Sequence, residues 1–266
     1  MTVEWLAESR DGGMLAGRVG RDGDRVVADW PGRARLTATR DGRDVIFEPS
    51  PDARPADVEK LRQGAARLLV THLRGGIPLH ASAVSLDGRA VVFIGAAGFG
   101  KSTLAATLGE HAGASLLGDD AVAIERAGDL YEVVALRESH WLDAAAAGAL
   151  GRPTDASGEK APHAPRRGDV ERSPLAMIAH LSFSETIDAP RLVAVSGIEA
   201  VSGLLAQLTR FLVDDPAIAR RDLAALADLV DHTRIVRLER PRSLDQLRAT
   251  ADLIAANVAA GSRGSP

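Results

Sequence analysis

The chain has 266 residues, enough for one large domain or for a domain with a small subdomain. It is 45% hydrophobic and 26% charged, as is usual for a globular protein, and it has no cysteine, which excludes disulfides, thiolate metal sites and a cysteine nucleophile. The net charge of −4 argues against an extended nucleic-acid surface. No apolar run reaches about 18 residues and the N-terminus lacks a signal-peptide pattern, so we expect no membrane contact and a cytoplasmic protein.

The first 50 residues are predicted to form a small antiparallel β subdomain. Tight-turn signals at 11–13, 20–23 and 41–42 separate strand-like segments. These segments are Met14–Val19, Arg25–Trp30, Ala34–Thr39 and Asp44–Phe47. Two interpretations remain open for this sheet: a module that recognises a substrate or partner, and a cover over one edge of the main sheet.

The second predicted region, residues 55–260, begins with a helix and a β-hairpin. Apolar residues recur at helical spacing from Pro55 to Arg74, and Gly75–Gly76 follows as the expected stop signal. Residues 79–86 and 90–94 are strand-like and are joined by Asp87–Gly88–Arg89, which predicts a hairpin. Strand 90–94 therefore has an antiparallel neighbour.

A glycine-rich motif follows this hairpin directly. The segment Gly95–Thr103 fits the pattern G-x-x-x-x-G-K-[ST] between a strand and a helix over 101–111. Such a loop turns backbone N–H groups towards a phosphate, while the lysine reaches the β- and γ-phosphates and the serine hydroxyl ligates Mg²⁺. Only three of the 32 basic residues are lysines, so Lys101 stands out in an arginine-rich chain. The predicted cofactors are ATP and Mg²⁺, and the predicted nucleotide-binding residues are Gly95, Ala97, Gly98, Phe99, Gly100, Lys101, Ser102 and Thr103.

Two adjacent carboxylates form the second candidate feature. Asp119–Asp120 follows a short apolar strand at 114–117, which we expect to run beside the strand that leads into the loop. Phosphoryl transfer uses one carboxylate to hold Mg²⁺ and, in kinases, another to accept the proton of the attacking hydroxyl. The alternative is a solvated Gly-Asp-Asp turn. His80 lies on strand 79–86, where a lone histidine is usually a packed core residue.

The rest of the chain alternates strands and helices around one irregular stretch. Strands are predicted at 121–126, 130–136, 175–183, 191–195 and 235–238, and helices at 198–213, 216–230 and 243–259. Residues 151–173 show no periodicity and are predicted to form a mobile loop, and the tail 261–266 is predicted to be disordered. The basic residues of the loop could close over a phosphate, receive an acidic peptide or form a solvated linker. They are Lys160, His163, Arg166, Arg167 and Arg172.

Three segments together resemble the HPr kinase/phosphorylase family: Leu79–Ala83, Gly95–Thr103 and Leu117–Asp120. They look closest to bacterial offshoots of that family encoded beside genes for lasso peptides and other modified peptides. The resemblance implies an α/β fold: a P-loop kinase core of the HPr kinase C-terminal-domain type, with a mixed sheet flanked by helices and a small N-terminal antiparallel β subdomain. It also implies an ATP- and Mg²⁺-dependent kinase that phosphorylates a serine hydroxyl on a peptide or protein.

Carried over position by position, the resemblance makes Asp119 the base and Asp120 a carboxylate on the metal side. His80 would support the base, while Lys101 and Ser102 would hold the phosphates and Mg²⁺. The chain departs from the family where Thr103 replaces a glutamate, and the family's glycine-rich signature does not align with Leu136–Trp141. These departures count against HPr itself as the substrate, and against the reverse phosphorylase activity and the hexamer.

Three functional hypotheses remain from the sequence. The first is a kinase acting on a serine of a ribosomally made, lasso-type precursor peptide. The second changes the acceptor to a small metabolite such as free serine. The third is a nucleotide-binding regulatory protein without catalysis. The sequence leaves the acceptor, the donor preference and a homo-oligomer open.

Overall fold

The structure, a computed structural model, describes residues 3–136, 139–153, 161–165, 170–212 and 215–261. The chain separates into two compact units. The first comprises Met1–Pro78 and Leu208–Ala225, and the second comprises Leu79–Gln207 and Leu226–Pro266. No helix within the described ranges is long and apolar enough to cross a membrane.

The first unit contains a five-stranded antiparallel sheet in which each strand pairs with the next one along the chain. Its strands are β1 (Glu4–Asp11), β2 (Met14–Asp22), β3 (Arg25–Trp30), β4 (Ala34–Thr39) and β5 (Val45–Pro49). This confirms the predicted N-terminal sheet. The sequence pattern missed β1 because this edge strand buries none of its residues, so its side chains show no alternation of apolar and polar positions.

The helical segment predicted from Pro55 is confirmed, with a change of helix type in its middle. It consists of α1 (Pro55–Leu61), a π-helical turn (Arg62–Ala66) and α2 (Arg67–Leu73). Apolar side chains of this segment, including Leu69 and Leu73, pack with Leu36 of the sheet in one cluster. Leu212 joins the same cluster, which explains why residues near 212 belong to this unit although they follow the second unit in sequence.

The remaining strands and helices follow in chain order. The strands are β6 (Ile77–Leu79), β7 (Ser82–Leu86), β8 (Arg89–Ile94), β9 (Ser115–Gly118), β10 (Val122–Ala127), β11 (Leu130–Val134), β12 (His140–Leu142), β13 (Ala161–His163), β14 (Arg172–Phe183), β15 (Arg191–Ala194) and β16 (Ile235–Arg240). The helices are α3 (Lys101–His111), α4 (Ala144–Ala149), α5 (Gly197–Leu205), α6 (Pro216–His232) and α7 (Leu247–Gly261), and a short 3₁₀ turn (Leu244–Gln246) precedes α7.

The main sheet of the second unit is mixed, and its strand directions determine where the site lies. β14 pairs in parallel with both β8 and β16. β7 pairs antiparallel with both β8 and β9, so β8 and β9 run in the same direction. The carboxyl ends of β9, β8, β14 and β16 therefore lie at one edge of the sheet, where ligands bind in open α/β sheets.

The core of this unit lies beneath that edge. Five consecutive residues of β8, from Ala90 to Ile94, are buried, as expected for a strand covered on both faces. Phe93 packs in one cluster with Leu104 of α3 and Ile254 of α7. The strand that leads into the glycine-rich loop is thus held rigidly by α3, α7 and its neighbouring strands.

Several predicted elements differ from the structure in informative ways. The hairpins β7–β8 and β10–β11 are confirmed. The strand before Asp119 pairs with β7 rather than with the loop strand, so that expectation was wrong. The helix predicted over 198–213 ends at Leu205. The strand predicted to end at residue 238 continues to Arg240, because its pairing with β14 extends to Phe183.

The predicted domain limits and the predicted mobile loop are not decided by these observations. The units of the structure are not the predicted ranges 1–50 and 55–260. Within 151–173, Ala161–His163 forms a strand paired with β12, and β14 begins at Arg172. Residues 154–160 and 166–169 lie outside the described residues, as does the tail beyond Gly261.

Gly118, at the end of β9, yields a test of how the aspartate turn is built. A Cβ at this position would lie 2.3 Å from the backbone oxygen of Ala121, which cannot move without displacing the turn. We expect Gly118→Ala to lower the free energy of unfolding by about 1–3 kcal/mol. The measurement is denaturant unfolding followed by circular dichroism.

Gly109→Ala is the matched control in the same unit. Its Cβ would meet its nearest neighbour, the oxygen of Ala114, at an ordinary 3.6 Å, and the residue lies within α3. This change should be neutral or stabilise by up to about 1 kcal/mol. Equal effects of the two substitutions would contradict the steric role of Gly118.

Candidate active site

The glycine-rich loop connects β8 to α3 and adopts a backbone conformation that requires glycine. Gly95, Gly98 and Gly100 have φ angles of 144°, 82° and 77°, which L side chains rarely adopt. The helix begins directly afterwards, since the N–H of Leu104 donates to the oxygen of Gly100 at 2.9 Å. The N-terminal end of α3 therefore faces the loop with its free N–H groups and its positive dipole end.

Lys101 lies folded back over this loop. Its side chain is 7% exposed, and Nζ donates to the oxygen of Gly95 at 2.8 Å and approaches that of Ala96 at 3.4 Å. The neighbouring Ser102 is equally buried. Burial of an ammonium group among backbone carbonyls at a helix N-terminus provides a fixed positive charge for an anionic ligand.

Asp119 is fully buried beneath the loop. Its carboxylate accepts hydrogen bonds from the hydroxyl of Ser82 and from the N–H of Trp141, the latter at 2.8 Å. Loss of solvation raises the pKa of Asp119, and the hydrogen bonds from Ser82, Trp141 and Ser102 oppose that rise. The contact with Ser102 joins the aspartate to the serine of the glycine-rich loop.

Asp120 differs from Asp119 in conformation and exposure. Its φ is 63°, in the left-handed region that few non-glycine residues adopt, and its side chain is exposed at the cavity described below. Asp119 Oδ1 accepts from the N–H of Asp120 at 3.2 Å. The turn thus separates the two carboxylates: one is buried beside Ser102 and the other is open to a ligand.

His80 is tied to this turn by its ring and by its backbone. Nδ1 lies 3.1 Å from the carbonyl oxygen of Asp120 and therefore donates to it. The N–H of His80 donates to the oxygen of Gln207 at 2.7 Å. In the amide orientation that satisfies its neighbours, Gln207 donates to the oxygens of Gly95 and His80 at 3.1 and 3.2 Å. Gln207 therefore links the histidine to the loop.

These groups converge on a cavity of about 400 Å³ within the second unit. The predicted site residues that line it are His80, Ala97, Gly98, Gly100, Lys101, Ser102, Thr103 and Asp120. Gly95, Phe99 and Asp119 are not part of this lining, and Phe99 stacks on Phe183 with ring centres 5.1 Å apart. The structure thus brings the loop, the histidine and the aspartate pair together around one space.

Other residues at this cavity were missed by the sequence analysis. They are Asp143, Ala145, Ala146, Phe183, Arg240, Arg242, Ser243, Leu244 and Leu247. Trp141 also lines the cavity, where it is half-buried. Arg240 could have been found only by extending the strand pattern of β16 past residue 238.

Of the five basic residues in the predicted loop 151–173, the structure describes two, and these belong to different strands. His163 pairs across the β12–β13 ladder with His140. Arg172 forms an exposed ion pair with Glu125 at 2.8 Å. Lys160, Arg166 and Arg167 lie outside the described residues. A catalytic role for any of the five stays a prediction.

The residues present fit a phosphate chain with a divalent cation. The left-handed glycines, the buried ammonium and the N-terminal end of α3 suit phosphate oxygens. Among the described residues no group of three His, Cys, Asp or Glu side chains could hold a metal. Mg²⁺ needs no such group, because it is usually bound through one or two carboxylates together with substrate phosphates. Ser102 and Asp119 are the oxygen-bearing side chains that would hold the ion in that arrangement.

Comparisons with known proteins find similarity among solved structures. No family model matches the chain, and no curated protein matches it. Among solved structures it is similar to the Hpr(Ser) kinase/phosphatase from Coxiella burnetii, with a TM-score of 0.40 and 13% sequence identity, covering 70% of this chain and 99% of that one. A similarity at this level carries no argument about function, which rests on the geometry above.

The burial of Asp119 predicts a pH-dependent stability. The folded state raises the pKa of Asp119 above its ordinary value of 3.8, so between that value and the raised one the folded protein binds more protons than the unfolded chain. The contribution of Asp119 to stability is therefore fully present below pH 3.8 and is lost as the pH rises. Asparagine cannot ionise, so the stability of Asp119→Asn relative to the wild type should increase from about pH 4 towards neutrality.

Urea unfolding without Mg²⁺ at a series of pH values measures this difference. Asp129→Asn, the same change at an exposed hairpin position, is the control. A relative stability of Asp119→Asn that is flat with pH, or that falls, would contradict the effect of burial.

Proposed function

We propose that this chain is an ATP- and Mg²⁺-dependent kinase that transfers the γ-phosphate to a hydroxyl group, most directly that of a serine on a peptide or protein. The observation that supports it is the convergence of Lys101, the Asp119–Ser102 contact and the exposed Asp120 on one cavity. Phosphoryl transfer requires few covalent steps from the protein, which acts chiefly through positioning and charge. These residues supply both.

The loop and the two buried side chains would bind the nucleotide. The N–H groups of the loop and the Lys101 ammonium would hold phosphate oxygens, while Ser102 and Asp119 would hold Mg²⁺. Bound Mg²⁺–ATP would supply the phosphoryl group and neutralise negative charge during transfer. A buried carboxylate with a raised pKa is costly to ionise by itself, and a cation beside it removes that cost.

The contacts support a division of roles between the aspartates opposite to the one implied by the family resemblance. Asp119 accepts four hydrogen bonds from protein groups and lies next to Ser102, which suits a metal ligand. Asp120 is exposed at the cavity, where an acceptor hydroxyl could reach its carboxylate. We therefore assign Asp120 as the base, which takes the proton from the hydroxyl as the oxygen attacks.

His80 and Gln207 are proposed as positioning residues for this base. The bond from His80 Nδ1 to the Asp120 carbonyl stabilises a turn whose left-handed φ is otherwise unfavourable for aspartate. Gln207 fixes the backbone of His80 relative to Gly95. The base would thus be held at a constant distance from the phosphate-binding loop.

The nature of the acceptor rests on the resemblance described for the sequence. It favours a serine of a ribosomally made precursor peptide, a core of the HPr kinase C-terminal-domain type and a cytoplasmic setting where ATP is available. Free serine is the alternative acceptor, and a nucleotide-binding regulatory protein is the alternative without catalysis. Candidate peptides and free serine are therefore to be tested side by side.

The test is transfer of label from γ-labelled ATP in the presence of Mg²⁺, with single variants of the two aspartates. Asp120→Asn should lower kcat about 10²- to 10⁴-fold, the usual contribution of a general base, with nearly unchanged nucleotide affinity. Asp119→Asn should instead raise the Mg²⁺ concentration required for half-maximal activity. Binding of ATP is followed separately by calorimetry.

Lys101→Met is the comparison for nucleotide binding and should weaken it. If Asp119→Asn lowered kcat at an unchanged Mg²⁺ requirement while Asp120→Asn remained active, the roles would be those of the family resemblance. Saturable ATP binding by the wild type without transfer to any peptide, protein or free serine would favour the regulatory alternative.

A further inference from the structure

Arg240 is a buried cation at the edge of the glycine-rich loop. It ends β16, its side chain is 3% exposed, and it lines the cavity. Nη2 donates to the oxygen of Phe99 at 2.8 Å, and the guanidinium lies 4.8 Å from the ring centre of Phe183. A Cβ on Gly100 would come within 2.5 Å of Nη2, so the guanidinium packs directly against the turn of the loop.

The charge of Arg240 is not balanced within the described part of the chain. No carboxylate there forms an ion pair with it, and its buried Nε has no hydrogen-bond partner. Its burial lowers its pKa. The basic Lys101 and Arg242 and the acidic Asp120 and Asp143 line the same cavity, and neither of these two carboxylates forms an ion pair with Arg240. An isolated buried charge is unfavourable, and a hydrogen-bond donor without an acceptor makes its burial more unfavourable still.

Other arginines of the second unit are paired with an acidic side chain. Arg191 and Arg237 both bond to Glu239, at 2.6 and 3.0 Å. The well-buried Arg152 bonds to Glu110 at 2.7 Å. Arg240 is one residue from Glu239 on the same strand, but side chains of adjacent strand residues point to opposite faces. It therefore faces the cavity without an acidic partner among the described residues.

We propose that Arg240 is a phosphate-binding residue, whose guanidinium takes oxygens of the phosphate chain of a nucleoside polyphosphate bound at the loop. The proposal rests on the proposed function for the identity of the ligand. Its own basis is the buried, partly unsatisfied guanidinium beside Gly100. Phosphate oxygens carry the negative charge that would balance the guanidinium, and they can accept a hydrogen bond from Nε.

The experiment compares Arg240→Met, Arg240→Gln and Arg240→Lys with the wild type. Calorimetry with Mg²⁺ measures the affinity for ATP, ADP, tripolyphosphate and adenosine. Arg240→Met and Arg240→Gln should weaken ATP, ADP and tripolyphosphate binding about 10- to 100-fold, because hydrogen bonds to charged groups contribute about 1.5–3 kcal/mol. Arg240→Lys should lose less, and adenosine affinity should not change.

Thermal unfolding without nucleotide separates this role from a structural one. Because the cation is unbalanced, Arg240→Met should unfold at the same temperature as the wild type or at a higher one. Arg234→Met is the control: this exposed arginine precedes the other end of β16 and bonds to Asn257. It should keep wild-type affinity for all four probes.

The outcomes distinguish this proposal from the kinase assignment. If Lys101→Met loses ATP binding while Arg240→Met and Arg240→Gln keep it, the role of Arg240 is overturned and the nucleotide site stands. If the wild type binds tripolyphosphate but not ATP, and the Arg240 variants lose tripolyphosphate, the anion site is supported and the kinase assignment fails. A fall in melting temperature for both Arg240→Met and Arg240→Gln, at wild-type affinity, would make Arg240 a structural residue and overturn the proposal.

Discussion

The parallel pairing of β14 with both β8 and β16, together with the antiparallel β7 between β8 and β9, is the constraint on which the site depends. Through it four strands end at the same edge of the sheet, although their carboxyl ends are far apart in sequence. The glycine-rich loop, the aspartate turn, Phe183 and Arg240 each follow or end one of these strands. The cavity is a consequence of that shared direction.

Burial in this edge gives chemically similar residues different roles. Asp119 and Asp120 are neighbours, but the turn places one carboxyl beneath the loop, where its pKa is raised, and the other at the cavity. The arginines divide in the same way. Arg237 is balanced by Glu239, whereas Arg240 faces the cavity without an ion-pair partner among the described residues. The left-handed backbone of Asp120 separates the two aspartates, whereas the alternation of side chains along β16 places Arg237 and Arg240 on opposite faces of the sheet.

Positive charge is also concentrated at this edge of the sheet. It comes from Lys101, Arg240 and the N-terminal end of α3, and it is held by carbonyl oxygens of the loop itself. Such an arrangement is less stable without its ligand than a neutral one would be. The hydrophobic core around Phe93 and Leu104 offsets this loss of folding free energy.

Much of this architecture follows from local sequence patterns. Turn signals between alternating segments predicted four of the five N-terminal strands, and the hairpins β7–β8 and β10–β11 were predicted from short apolar runs around glycine. The glycine-rich loop, Lys101 and the aspartate pair were recognisable because their spacing along the chain is short and is required by their chemistry. His80 was a candidate only through its position in the predicted strand 79–86 and the family resemblance, and the structure places it between β6 and β7.

Tertiary structure alone decided which distant residues complete the site. Arg240, Phe183 and Gln207 reach the loop through strand pairing and a single hydrogen-bonded amide, and no local pattern marks them. It also decided which aspartate is buried, since the sequence cannot distinguish two adjacent carboxylates until the turn gives Asp120 its left-handed backbone. Periodicity reports which face of an element is covered, but the partner that covers it depends on contacts between residues far apart in the chain.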